Sequence, residues 1–130
     1  MIQKGVVAKM PMRSTILCVD DEEVALALRK RVLEEAGYVV FTAATTSDAL
    51  AFIKSHPVHL VITDHLMPGA TGHDLARELR LANPKLPVLI LSGGQTPSSM
   101  VQPPDYYLHK LEGPTEMIAK VHSILLAREQ

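Results

Sequence analysis

Five short apolar runs, Thr15–Val19, Tyr38–Thr42, Val58–Thr63, Leu86–Leu91 and Tyr106–Leu108, recur along the chain with polar or amphipathic stretches between them. Runs this short read as strands buried on both faces, and their alternation with helical patterns predicts a parallel sheet covered by helices on each side. Charged residues follow three of the runs: Asp20 and Asp21 the first, Asp64 the third and Lys110 the last. In a parallel sheet these groups gather at the carboxyl edge, which is where open α/β sheets place their sites.

The stretches between the runs carry helix signals. From Glu22 to Ala36 the spacing of Ala25, Leu28, Val32 and Ala36 predicts an inward stripe, and Gly37 predicts the stop. Thr45 with Asp48, and Thr71 with Asp74, have capping-box spacing ahead of helices over 49–55 and 75–82. Pro114 suits the first turn of a last helix whose Ile118, Val121 and Leu125 face inward. Between Ser92 and Tyr106 the chain holds two glycines and three prolines, so at most one helical turn is expected there.

A chain of 130 residues, 47% hydrophobic, fits one domain with a single core and needs no disulfide or metal staple. Lys plus Arg total 13 against 14 Asp plus Glu, which gives no electrostatic case for nucleic acid or an anionic membrane. The lone cysteine, Cys18, lies inside an apolar run and reads as a buried structural thiol. No stretch approaches the roughly 20 apolar residues of a membrane span, and the first residues lack a signal-peptide centre. A cytoplasmic protein with a loose tail over residues 1–13 and one domain over 14–130 is expected. Six histidines raise zinc as a candidate, but His56, His59, His65 and His73 fall on differently directed positions and form no closed ligand set.

Three carboxylates brought to one sheet edge repel unless a cation neutralises them, and an all-oxygen cluster suits Mg²⁺. A carboxylate there could accept a phosphoryl group as an acyl phosphate if cations stabilise the transferred charge. Lys110 would supply one such cation, and Ser92, ending the fourth strand, a hydroxyl donor. For Asp21 a bland reading stands beside this one, since an acid followed by Glu22 and Glu23 also suits a helix N-terminus.

Taken in order, Val19-Asp-Asp-Glu22, Arg31-Val-Leu-Glu-Glu-Ala-Gly-Tyr38, Thr63-Asp-His-Leu-Met-Pro-Gly-Ala-Thr-Gly72, Leu91-Ser-Gly93 and Tyr107-Leu-His-Lys110 resemble the receiver domain of bacterial two-component response regulators. The resemblance implies a flavodoxin-like, doubly wound five-stranded parallel sheet in order 2-1-3-4-5; the Gly- and Pro-rich stretch departs from it and predicts a fourth helix shortened or missing in this chain. It implies that Asp64 takes a phosphoryl group from a phosphohistidine on a partner histidine kinase or histidine phosphotransfer protein. Asp21 would ligate Mg²⁺ directly, Asp20 mostly through water, and Asp64 and the backbone carbonyl of Leu66 would complete the protein's ligands. Ser92 and Tyr107 would form the switch pair, and Lys110 would hold a phosphate oxygen. Such a domain is a signalling switch that assists its own phosphorylation and dephosphorylation, and pairing with a second copy is one expectation.

The chain departs from the family pattern at Leu111, which follows Lys110 where a proline after a cis bond is usual. A cis bond before a non-proline residue costs about 2.5–4 kcal/mol. The alternative function is a degenerate receiver that docks proteins without phosphorylation. A flavin-binding flavodoxin would want a hydroxyl- and glycine-rich phosphate loop after the first strand, where this chain has Asp-Asp-Glu-Glu. A haloacid-dehalogenase-type phosphatase would need two acids two residues apart on one loop, and neither acidic site offers them.

Overall fold

The structure, a computed structural model, describes residues 13–67, 69–94 and 105–128. The expected tail lies outside these residues except for Arg13, as does the expected short or missing fourth helix. Five strands form one parallel sheet: β1 (Thr15–Val19), β2 (Val39–Ala43), β3 (Leu60–Asp64), β6 (Val88–Ser92) and β7 (Asp105–His109). Their spatial order is β2-β1-β3-β6-β7, which is 2-1-3-4-5 once the sheet strands alone are numbered. A small antiparallel hairpin, β4 (Leu66–Met67) with β5 (Ala70–Thr71), follows β3. Four helices are described: α1 (Glu23–Glu35), α2 (Thr46–Ser55), α3 (Gly72–Ala82) and α4 (Pro114–Arg128).

Alternation along the strands sorts the core into two layers. Ile16, Cys18, Leu60, Ile62, Leu89 and Leu91 pack with Leu26 and Leu33 of α1 and with Met117, Val121, Ile124 and Leu125 of α4. On the other face Leu17, Val19, Val61, Val88 and Ile90 pack with Ala49 of α2 and with Leu75, Ala76 and Leu79 of α3. The sheet is therefore doubly wound. Cys18 is fully buried, as its apolar setting suggests, and burial pushes its thiol up to about 12.

The helix stripes differ in detail from the expected ones. In α1, Leu28 is 63% exposed and Ala36 lies at the surface, whereas Leu26 and Leu33 are buried. Val32 packs half-buried against the core as expected, but the deeper stripe is Leu26, Arg29 and Leu33, at spacings i, i+3 and i+7, and a charged residue in its middle conceals its apolar periodicity. In α4 the deep positions are Met117, Val121, Ile124 and Leu125, and Ile118 sits half-buried on the flank.

The helix ends carry the expected signals. Gly37, at φ +104°, closes α1 as its amide donates to Glu34 O while Tyr38 N donates to Leu33 O, the two bonds of a Schellman motif. Thr45 Oγ1 accepts from Asp48 N at 3.0 Å. At α3 the box is reciprocal: Asp74 N donates to Thr71 Oγ1 at 3.0 Å and Thr71 N to Asp74 Oδ2 at 3.1 Å. These bonds hold the Asp74 carboxyl below its ordinary range, with the Thr71 backbone bond as the largest cause. The support they give α3 is complete above the ordinary carboxylate range and is lost as pH falls through the depressed value. Replacing Thr71 by Ala removes a cap and should lower unfolding free energy by about 1 kcal/mol at neutral pH, read from urea denaturation, with a smaller loss in strong acid.

Candidate functional site

Strand register assembles the site. Val19 pairs with Thr63, so the next residues, Asp20 and Asp64, emerge level with each other at the carboxyl edge. Asp64 pairs with Leu91, Ser92 pairs with His109, and the Lys110 amide donates to Ser92 O at 2.8 Å. Each strand toward β7 thus delivers its functional residue one step further along.

Asp20, Asp21 and Asp64 each place a carboxylate oxygen within 4.8 Å of the others. Asp20 and Asp64 are buried and Asp21 is exposed. Asp20 Oδ1 accepts from Glu22 N at 3.0 Å, so Asp20, not Asp21, ties down the entrance to α1. Its Oδ2 lies 3.4 Å from Arg29 Nη1. Among the described residues Asp21 has no hydrogen bond or ion pair, which leaves its carboxylate open to solvent.

Lys110 Nζ stands 2.7 Å from Asp64 Oδ1. The two form an ion pair without hydrogen-bond alignment, so that buried oxygen has an unmet acceptor site among the described residues. Leu111 does not prevent this reach. Its amide donates to His109 Nδ1 at 3.0 Å, a bond that a proline could not make, and Glu112 N donates to His109 O at 3.0 Å. Asp64, Leu66, Ser92 and Lys110 line one cleft of about 410 Å³.

Ser92 is buried, and its Oγ accepts from Gly94 N at 3.2 Å. Tyr107 is half-buried on β7 with its ring edge-on to His65 and His73, at centroid distances of 6.5 and 6.2 Å. Its hydroxyl is enclosed without a hydrogen-bond partner among the described residues, and burial, then the charge of Asp105, raises its pKa. Asp105 itself is buried at the start of β7 against Arg80 of α3.

One contributor has no chemical group to betray it. A Cβ on Gly72 would lie 2.7 Å from Asp64 O and 3.1 Å from Thr63 Cγ2, so only glycine lets the first turn of α3 press against the end of β3. Gly72 N donates to His65 O across this contact. The residue is visible in the sequence only as part of the family pattern.

A family model for the response regulator receiver domain matches residues 16–122. The chain belongs to the response-regulator receiver family. Among its relatives, response regulator GtcR of Aneurinibacillus migulanus is 35% identical over 119 residues, covering 88% of this chain and 48% of that protein. The alkaline phosphatase synthesis transcriptional regulatory protein PhoP of Bacillus subtilis is 31% identical over 122 residues, covering 91% and 51%. This receiver chain spans about half the length of these curated relatives. A CheY-like receiver domain protein from Methanospirillum hungatei superposes with a TM-score of 0.83 at 27% identity, covering 91% of this chain and 98% of the other. None of the described helices is long and apolar enough to cross a membrane.

The donor set suits the Mg²⁺ typical of receivers: three carboxylates around one space are hard oxygen ligands, and Asp64 Oδ1 is buried with an unmet acceptor site. Replacing Gly72 by Ala should force β3 and α3 apart and cost about 1–3 kcal/mol, measured by denaturant unfolding. Chemical-shift changes in that variant should centre on residues 63–65.

Proposed function

We propose that this receiver accepts a phosphoryl group on Asp64 from a phosphohistidine of a histidine kinase or histidine phosphotransfer protein, and that the acyl phosphate switches its conformation. The observation that carries the reading is the placement of Lys110 Nζ 2.7 Å from a buried carboxylate whose neighbours are Asp20 and Asp21. An Asp64 carboxylate oxygen attacks phosphorus, the donor's P–N bond breaks, and the imidazole leaves with a proton. Lys110 then balances the charge of the transferred oxygens. Water attack on the same phosphorus would return Asp64 to its carboxylate, which makes the domain a self-resetting switch that assists its own dephosphorylation.

Asp21 is the direct metal ligand in this reading, because its carboxylate is exposed and uncommitted among the described residues. Asp20 acts mostly through water, since both its oxygens already have partners. Asp64 and the Leu66 carbonyl complete the protein's share. Mg²⁺, when bound, shields the negative charge that a phosphoryl group brings to a site already holding three carboxylates.

Ser92 and Tyr107 are the switch pair. The Ser92 hydroxyl lies in the same cleft as Asp64 and, among the described residues, gives up only the bond from Gly94 N to meet a phosphoryl oxygen. The Tyr107 hydroxyl, unmet among the described residues, gains a partner if the ring moves. Such a rearrangement biases a surface rather than performing turnover on a substrate.

Phosphoramidate with Mg²⁺ should raise the intact mass by one phosphoryl group, and Asp64→Asn should abolish the acid-labile label. Labelling that persisted in that variant would remove Asp64 from the role. Separately, Asp21→Ala should weaken Mg²⁺ binding at least about tenfold, followed by calorimetry or tyrosine fluorescence. Equal affinity in the two proteins would refute direct ligation.

A further inference from the structure

A charged side chain on the inward stripe of a helix needs a reason, because burial of an unpaired charge is costly. Arg29 occupies that position between Leu26 and Leu33, and its side chain is only 12% exposed. Its partner is Asp20, whose side chain is 4% exposed. The pair gives one Asp20 oxygen a partner while Glu22 N donates to the other. Lys110 is committed in the same way to Asp64. Three carboxylates thus share two resident cations, and only Asp21 lacks one among the described residues.

We propose that Arg29 is a built-in counter-ion that sets the cation affinity of this receiver by holding Asp20 out of direct metal ligation. The inference rests on the reading that Asp20, Asp21 and Asp64 hold a divalent ion. A metal arriving at the cluster meets a carboxylate already neutralised by a guanidinium, so it gains less from Asp20 and is repelled by Arg29. Removing the guanidinium leaves Asp20 as a buried carboxylate without its ion-pair partner, so that it gains more from an arriving divalent ion. Arg29 is therefore a positioning residue: it acts on the cation through Asp20. Its side chain also lines the groove between α1 and α4 that carries Lys110, so the two resident cations approach the cluster from the same side.

The test is Mg²⁺ titration of the whole chain without any phosphodonor, followed by calorimetry and by tyrosine fluorescence. Arg29→Met keeps the length of the side chain and removes its charge, and it should bind Mg²⁺ roughly fivefold more tightly or better at moderate ionic strength. Arg29→Lys should stay near the wild-type affinity. In the absence of cation Arg29→Met should melt at a lower temperature than the wild type, and added Mg²⁺ should raise its melting temperature more. The gain should vanish when Asp20→Asn is combined with Arg29→Met, because the effect runs through that carboxylate; a purely structural effect of the arginine would persist in the double variant. If Arg29→Met does not fold without cation, Arg29→Gln supplies the same comparison. Equal or weaker Mg²⁺ affinity in a folded charge-free variant overturns the proposal and leaves the metal site intact. Absence of Mg²⁺ binding in every protein overturns the metal-site reading and this inference with it.

Discussion

Electrostatic repulsion among Asp20, Asp21 and Asp64 is the constraint around which this molecule is arranged. Their oxygens lie within 4.8 Å of one another, a spacing that isolated carboxylates would avoid. The fold answers locally: Arg29 reaches in from α1 to Asp20, Lys110 arrives from the turn after β7 to Asp64, and Glu22 N caps the remaining oxygen of Asp20. Every one of these partners depends on a helix or strand being seated on the sheet. The two apolar layers are thus what hold the charges against their repulsion, and the charges in turn define which ends of the layers must meet.

The general plan was legible from the chain because its signals are strong and redundant. Short apolar runs set between amphipathic stretches announced the strands, and each observed strand lies within two residues of its run. Gly37, Thr71 with Asp74 and Pro114 marked helix ends by local chemistry that tertiary contacts did not override. The residues proposed for phosphoryl chemistry were likewise readable, since Asp64, Lys110 and Ser92 stand at or beside strand ends and come to one edge, whereas Tyr107, in the middle of β7, was readable only through the family resemblance.

What escaped was of a different kind. Arg29 sits where apolar periodicity expects a Leu or Val, so its polarity moved the anticipated stripe of α1 onto Leu28, which is exposed. A one-dimensional pattern has no means of knowing that Asp20 waits opposite. Gly72 matters for what it lacks, and the need for a missing Cβ arises only when α3 meets the carbonyl of Asp64. The turn after Lys110 is held by His109 accepting from Leu111, an arrangement that substitutes local hydrogen bonding for the proline usual in the family.

The parallel register of β1, β3, β6 and β7 also governs how the molecule can fail. Each functional side chain owes its place to a count of residues from the last paired position, as with Asp64 one past the Val19 and Thr63 pair. A one-residue slip of β3 would exchange its two faces, driving Leu60 and Ile62 into the layer built for Val61 and Thr63 while carrying the acid away from Lys110. Misregistered chains would lose core packing and the charge site together. Such a design is fail-silent: an incorrectly wound molecule holds no half-working centre that could relay a false signal.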